Sequence, residues 1–207
     1  MKKRNIKTKY IAYLVILIVA CIAGSQIPGF FTVTNILNVT RQASTIAICA
    51  LAMTLVLIIQ GIDLGTGGVM AFCAMVSGFM MLNGINVFFS MFAGAAVGLI
   101  IGIVNGLLVS RINIPPFIAT YVTGQITLGL ALVVGKGSSI SGMPDLYVAI
   151  GNRLFLNIPI NTWIMIVLLV ITTVILKYTR MGKHIYALGG NESVVKAEGI
   201  NSGRIKI

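Results

Sequence analysis

The stretch VFFSMFAGAAVGLIIGIVNGLLV, from Val87 to Val109, contains no charged side chain. About 20 consecutive apolar residues cross a bilayer as an α-helix, with a tolerated range of about 17 to 25. A segment in lipid has to satisfy its own backbone hydrogen bonds, and a helix does so within one segment. This stretch is therefore predicted to be a membrane-spanning helix.

The rest of the chain has the same character. Of its 207 residues, 57% are hydrophobic and only 9% are charged, whereas soluble domains carry about 25% charged residues. A water-soluble fold could not hide this much apolar surface. The bilayer is therefore the expected solvent for most of the chain.

Six apolar segments of spanning length predict an all-α, polytopic transmembrane bundle. The basic, then apolar, N-terminus resembles a signal peptide, but no clear cleavage site follows, so it is predicted to be an uncleaved first span. The long stretch 135–161 is rich in Gly, Ser, Pro and Asn and predicts an irregular loop that could hold a short surface helix. The predicted spans are Tyr10–Ile27, Ala43–Gln60, Gly65–Leu82, Val87–Val109, Phe117–Val134 and Asn161–Tyr178.

The basic residues predict the orientation. With both termini in the cytoplasm, 12 of the 15 Lys and Arg residues lie inside, namely those in Met1–Lys9, Arg111 and those from Lys177 onward. The reverse orientation would place these 12 outside, against the positive-inside rule. The net charge of +11 is thus explained by topology, and no basic stripe with interleaved aromatics predicts a nucleic-acid partner.

Several function classes lack the residues they need. Cys21, Cys49 and Cys73 lie in apolar runs and are expected to be packing residues rather than metal ligands or disulfides. No paired carboxylates, His cluster or activated nucleophile predicts an enzyme. An ion-coupled carrier would be expected to carry ionisable groups at membrane depth, and only Asp63 comes close to it.

A stripe of glycines marks the fourth span. Gly94, Gly98, Gly102 and Gly106 recur every four residues and so lie near one helix face. Small residues of this kind let another helix approach closely. Asn105 lies beside the stripe, and we expect an interhelical hydrogen bond there in preference to a ligand contact.

The junction between the second and third spans has two interpretations. Gly61 and Gly65 flank Asp63 in the sequence GIDLGTGG, residues 61–68. In one interpretation the backbone breaks there, forming a hinge or the edge of a cavity, since irregular backbone at depth must be buried in protein or line water. In the other, the segment is a plain cytoplasmic turn with Asp63 as the N-cap of the third span.

The fifth span carries neutral polar side chains, namely Thr120, Thr123, Gln125 and Thr127. Such groups suit a path for an uncharged, hydroxyl-rich solute. They suit ordinary helix–helix contacts equally well, and the sequence leaves both interpretations open.

A short helix is predicted after the sixth span. Asn191 is a good N-cap, Glu192 and Lys196 form a favourable i,i+4 pair, and Gly199 suits the position after the helix, giving a helix of residues 192–198. A helix this short is marginal alone, so it packs either on a partner or on its own protein. His184, in a basic stretch, is expected to be a solvated polar residue.

Three motifs together resemble ABC importer permeases of the ribose/xylose/arabinose branch. They are GIDL at residues 61–64, PFIAT at residues 116–120, and the segment 182–201 with YALGGNE at residues 186–192 and GIN at residues 199–201. The resemblance covers essentially all 207 residues and makes them the N-terminal part of one transmembrane permease domain. By the resemblance, residues 179–207 form a cytoplasmic coupling loop whose short helix docks on the ATPase, with coupling residues Gly189, Gly190, Asn191, Glu192, Lys196 and Gly199.

The resemblance also implies partners and a location. It implies a permease of the bacterial inner (plasma) membrane that pairs with a second permease copy or paralogue, a cytoplasmic ATP-binding cassette subunit and an extracytoplasmic sugar-binding protein. The chain has no G-x-x-x-x-G-K-[ST] phosphate loop, so no cofactor is expected here, and ATP and Mg²⁺ are expected in the partner. The sequence does not select the sugar.

Two departures from the family pattern keep an alternative open. Ser193 and Val194 stand where the family usually has two alanines, and family members continue for about another hundred residues beyond Ile207. We therefore expect a truncated or partial sequence. A truncated, non-transporting membrane scaffold or assembly partner is the alternative to a transport subunit.

Overall fold

The computed structural model describes residues 4–207, so Lys2 and Lys3 of the basic N-terminus lie outside the described residues. Helices dominate the described part, with one small hairpin. The elements are α1 (Arg4–Ser25), α2 (Val33–Ile58), α3 (Thr66–Leu82), α4 (Val87–Ser110), α5 (Pro116–Val134), α6 (Asp145–Asn152), β1 (Leu154–Phe155), β2 (Ile158–Pro159), α7 (Ile160–Tyr178), α8 (Arg180–Gly190), α9 (Glu192–Ala197) and α10 (Ser202–Lys206).

Each predicted span corresponds to a helix, namely α1 to α5 and α7. Within the described residues, α2, α4, α5 and α7 are long and apolar enough to cross a membrane, while Tyr13–Ser25 and α3 are shorter apolar segments. α2 begins at Val33, ten residues before the predicted start at Ala43. Thr32 caps this start by accepting a hydrogen bond from the backbone N–H of Asn35. Hydropathy marks the part of a helix that lies in lipid, and this helix continues beyond it.

α3 and α5 cross at short range, where Gly65 and Gly68 meet Gly124, a glycine that the sequence analysis did not single out. A Cβ on Gly124 would lie 2.6 Å from the Cα of Gly65, and one on Gly68 would collide with the carbonyl of Gly124. The buried face of α5 is small throughout, with Ala119, Thr120, Gly124, Thr127 and Ala131. Contact between backbones replaces large side chains here, as is common between membrane helices.

The glycine stripe of α4 is divided between two neighbours. Gly94 packs against the Ser77 side chain of α3, and a Cβ on Gly98 would lie 3.2 Å from Cys73 Sγ. Gly106 packs instead on the C-terminal end of the chain, where a Cβ would lie 2.8 Å from the Cα of Ile207. Gly102 has no atom within 4 Å of a Cβ position and faces a cavity rather than a helix.

Burial is the reverse of that in a soluble protein. Large apolar side chains such as Val133 (74% exposed) and Phe92 (73% exposed) cover the outside, whereas Ser90 is fully buried. Lipid tails solvate apolar side chains without penalty, so the interior can be left to small and hydroxyl residues. This distribution fits a protein whose solvent is the bilayer.

The long stretch before α7 contains the short helix that the sequence allowed, α6, and a hairpin that it did not predict. β1 and β2 pair antiparallel around Leu156 and Asn157, whose φ angles are +52° and +59°. A Leu-Asn pair is not the usual signature of such a turn, which favours Asn-Gly or Asp-Gly. Trp163 of α7 supports the hairpin by donating its indole N–H to the Phe155 carbonyl at 3.0 Å.

Residues 179–207, predicted as a loop with one short helix, contain three helices. The two unpredicted helices are α8 and α10. Thr179 caps α8 through a hydrogen bond from the Gly182 N–H, and α8 buries Ile185 and Leu188. α8 contains Gly182, Gly189 and Gly190, and glycine has a low helix propensity. Gly182 packs against the carbonyl groups at the end of α7, so tertiary contact, rather than helix propensity, explains the glycine at this position.

Candidate functional site

The chain between α2 and α3, called the break below, is irregular rather than helical. Gln60 has φ of +62° and residues 61–65 are irregular. The N-cap of α3 is Gly65, without a capping side chain, so the interpretation of Asp63 as the N-cap is wrong. Asp63 Oδ1 instead accepts a hydrogen bond from the Gly65 N–H at 2.7 Å, which fixes the turn within the break.

The side-chain hydroxyl of Thr120, on α5, makes hydrogen bonds with the backbone of the break. Its Oγ1 accepts a hydrogen bond from the Leu64 N–H at 3.0 Å and lies 3.3 Å from the Ile62 carbonyl. The side chain is buried. The hydroxyl therefore satisfies a backbone N–H that the irregular segment leaves without a helical partner.

A cavity of about 550 Å³ lies beside the break. Its wall combines the end of α2, the break, α4, the start of α5 and the junction of α8 with α9. Of the residues singled out from the sequence, those on the wall are Gly61, Asp63, Gly102, Asn105, Gly106, Thr120, Gly189, Gly190, Asn191 and Glu192. The tertiary structure thus brings the break and the segment after α7 to one site.

A second cavity of about 200 Å³ adjoins the first between α2, α3 and α4. The two share Val56, Asp63, Gly102 and Asn105 on their walls. Asn105 makes the expected interhelical hydrogen bond, with its Oδ1 2.8 Å from Thr123 Oγ1, and it also borders both cavities.

Two polar residues of α5 lie elsewhere. Gln125 has an exposed side chain and lines neither cavity. Thr127 is buried and its hydroxyl bonds to backbone carbonyls of its own helix. Of the neutral polar group in the fifth span, only Thr120 reaches the main cavity wall.

The short helix α9 has the local structure that its sequence indicates. Asn191 Oδ1 accepts hydrogen bonds from the N–H groups of Ser193 and Val194, and Gly199, with φ of +77°, follows the helix. Val195 is 1% exposed, whereas Val194 is 51% exposed. One face of α9 therefore packs on its own protein and the other is open.

Glu192 links α9 to α10. Its carboxylate lies 3.1 Å from Lys196 Nζ and 2.7 Å from Lys206 Nζ. These hydrogen bonds, that of Lys206 first, lower the pKa of Glu192 from 4.5 to about 2. The carboxylate is therefore charged at any physiological pH.

The segment after α7 is in direct contact with the end of α2. Gln60 Nε2 donates a hydrogen bond to the Gly189 carbonyl at 2.7 Å. A Cβ on Gly189 would collide with the Ile58 carbonyl, so no side chain would fit at this position. Sequence reasoning missed Gln60, although its position directly before the GIDL motif is a signal that could have indicated it.

Taken together, the apolar helices, the exposed apolar surface and the polar cavity at the helix ends define a multi-pass membrane protein with an internal polar site. Residues 35–207 match the family described as "Branched-chain amino acid transport system / permease component". The chain belongs to this permease family. Its relatives place it in the bacterial cell membrane.

Named relatives cover nearly the whole chain. The ribose import permease protein of Haemophilus influenzae is 36% identical over 200 residues, which are 95% of this chain and 62% of that protein. Its namesake in Escherichia coli strain K12 is 34% identical over 198 residues, 94% of this chain and 62% of that protein. The D-allose transport system permease protein of the same strain is 31% identical over 197 residues, 93% of this chain and 60% of that protein.

The chain spans about 62% of the length of the first two of these relatives. No solved structure gives a significant match.

Proposed function

We propose that this chain is part of the permease subunit of an ATP-binding-cassette importer for a monosaccharide such as ribose. The support is the family match over residues 35–207 together with relatives named as ribose and D-allose permeases. Another relative, from Sinorhizobium fredii, is named a probable ABC transporter permease protein and is 32% identical. The proposed role is transport, not catalysis.

The proposed topology has six spans with both termini in the cytoplasm, residues 1–207 forming the N-terminal part of one permease domain. Charge asymmetry supports this orientation. Further support comes from the larger cavity, whose wall gathers the C-terminal ends of α2 and α4, the start of α5 and the α8–α9 junction. Alternating spans would place all of these on one side of the membrane.

The two adjoining cavities are the proposed part of the sugar path. Asp63, Asn105 and Thr120 offer hydrogen-bonding groups of the kind that recognise hydroxyls, on walls that combine polar and apolar side chains. The irregular backbone from Gly61 to Gly65 is the proposed hinge. Gln125, exposed on α5, is proposed to face another helix of the assembly, since a lone amide in lipid is unfavourable.

The observation that carries the coupling proposal is the hydrogen bond between Gln60 and Gly189. The open face of α9, with Ser193 and Val194, is proposed to dock on the ATPase. Movement of that helix would pass through Gly189 and Gln60 to the end of α2, and from there to the break that Thr120 holds. Gln60 and Gly189 both lie on the wall of the main cavity, so this path is short.

The proposed partners are a second permease copy or paralogue, a cytoplasmic ATP-binding cassette subunit and an extracytoplasmic sugar-binding protein. ATP and Mg²⁺ would be bound by the cassette subunit. No nucleic-acid partner is proposed.

Co-purification tests the proposal. The chain, alone and extended by its downstream coding sequence, is tagged and expressed with the ATP-binding and sugar-binding proteins encoded beside its gene. We expect capture of the ATPase, loss of capture on deleting residues 191–199, and weaker capture for Val194→Asp. If even the extended chain captures no ATPase, the importer proposal is wrong.

A second experiment separates docking from coupling. Gln60→Ala removes the hydrogen bond to Gly189 but leaves α9 intact. We expect this variant to capture the ATPase normally while transport by the reconstituted complex falls. Gln42→Ala, an exposed position near the other end of α2, is the matched control. Equal transport by both variants would contradict the coupling role of Gln60.

A further inference from the structure

A basic groove lies at the corner where α7 meets α8, on the opposite face of α8 from the residues that it buries in the protein. Thr173, Leu176 and Lys177 of α7 form one wall, and Lys183 and Tyr186 of α8 form the other. The groove shares no residue with the two cavities described above. Neither the transport proposal nor the coupling proposal uses it.

The groove is apolar toward the middle of α7 and basic at the end of α7, which is the order of acyl chains and headgroups in a bilayer. Thr173 lies one helical turn before Lys177, about 6 Å deeper along the helix axis. Leu176 belongs to the apolar span, whereas the two lysines and Tyr186 lie at its end, where basic and aromatic residues mark the membrane interface. A ligand filling this groove would meet cations at one end and apolar side chains at the other.

The cations of the groove carry no neutralising partner among residues 4–207. Both ion pairs in that part of the chain involve Glu192, with Lys196 and Lys206. The groove wall holds no carboxylate, and Lys177 and Lys183 are exposed. Arg180 in the first turn of α8 is a third cation near this corner, whereas the helix dipoles of α7 and α8 meet there with opposite ends and offset each other.

We infer that this groove binds an anionic phospholipid, with the phosphate between Lys177 and Lys183 and the start of an acyl chain along Leu176 and Thr173. A basic pocket between helices at the membrane surface is a recognised form of lipid headgroup site. An acidic surface of a cytoplasmic protein is a poorer fit, because such a surface cannot reach Thr173 inside the span. The inference does not depend on what the protein transports.

The test is titration of the purified chain, in neutral detergent, with phosphatidylglycerol and separately with phosphatidylcholine, with bound lipid counted by native mass spectrometry. We expect phosphatidylglycerol to bind preferentially. The variant Lys177→Gln/Lys183→Gln should weaken that binding about 25-fold, since each surface lysine contributes about fivefold to anionic lipid binding.

The matched control is Lys136→Gln/Arg153→Gln, which removes two exposed cations from the stretch between α5 and α7. It should leave phosphatidylglycerol binding unchanged. Equal weakening by both double variants would overturn the inference, because the attraction would then be diffuse. Competition by inorganic phosphate at matching concentration would also overturn it, since the groove would then hold any phosphate.

A final comparison separates the lipid from a protein partner. If the lysine double variant binds phosphatidylglycerol normally but fails to capture the ATPase, the groove is a protein-docking surface and the inference is wrong. If lipid binding falls while ATPase capture is kept, the lipid assignment stands, whatever the outcome for sugar transport.

Discussion

Replacing Gly124 by alanine tests the close crossing of α3 and α5. A Cβ on Gly124 would lie 2.6 Å from the Cα of Gly65, which is 0.8 Å short of the 3.4 Å at which ordinary contact begins. The obstructing atom belongs to the backbone, so no side-chain rotation relieves the overlap. The two helices have to separate by close to this distance.

Such a separation has a second consequence. Thr120 lies one turn before Gly124 on α5, and its hydroxyl accepts the Leu64 N–H at 3.0 Å. Moving α5 away by the same amount would stretch this bond beyond the usual limit for N–H···O contacts. Overpacking costs about 1–3 kcal/mol, and loss of the acceptor for this part-buried N–H costs roughly a further 1 kcal/mol.

The assay heats samples of the purified chain in detergent and measures the remaining folded protein by size-exclusion chromatography. Gly129→Ala is the matched control, because it lies on the same helix and a Cβ there meets no atom within 4 Å. We expect Gly124→Ala to lose its folded peak at a clearly lower temperature and Gly129→Ala to match or slightly exceed the parent, since alanine favours helices. Indistinguishable melting of the two variants would refute the argument.

Three further predictions follow from the site. Thr120→Val keeps the side-chain shape but leaves the Leu64 N–H without its acceptor, so it should destabilise the fold by about 1–3 kcal/mol. The control Thr173→Val, exposed on α7, should not destabilise it. Equal melting temperatures of the two variants would contradict the role of the Thr120 hydroxyl. Because the pKa of Glu192 is lowered from 4.5 to about 2, its stabilising contribution should be constant above pH 4.5 and be lost as pH falls toward 2. Melting temperatures of the parent and Glu192→Gln should therefore differ at neutral pH and converge in acid, while Glu198→Gln stays close to the parent throughout; a gap that persists in acid would argue against the ion pairs. Gly102→Leu should fold and assemble, because the position is open, but should reduce sugar uptake in reconstituted vesicles by filling the cavities, and unchanged uptake would remove Gly102 from the path.

Hydropathy and charge were sufficient to predict the helices of the bundle. Long runs without charge have one stable form in lipid, and each predicted span is a helix. The capping pattern around Asn191 likewise predicted α9 to within one residue, because capping depends on neighbours in sequence. The hairpin around Leu156 and Asn157 was missed because it lacks the usual turn residues. α8 was missed although its sequence carries two helix signals, the N-cap Thr179 and the apolar residues Ile185 and Leu188 at helical spacing.

The glycines show where local reasoning stops. A four-residue repeat predicts that one face of α4 is small, and that is a property of the helix alone. Which helix occupies the face is a property of the assembled bundle, and the structure places α3 at Gly94, the C-terminal end of the chain at Gly106, and open space at Gly102.

The sequence by itself determined that the solvent of this protein is the bilayer, where its long apolar helices lie and to which family it belongs, because apolar length, charge position and short motifs are read along the chain. Only the tertiary structure decided that Gln60 meets Gly189, that Thr120 holds the break next to Asp63, and that all four lie at one cavity. Gln60 and Gly189 are 129 residues apart, and pairings at such separations depend on how helices pack against each other, which no local pattern specifies.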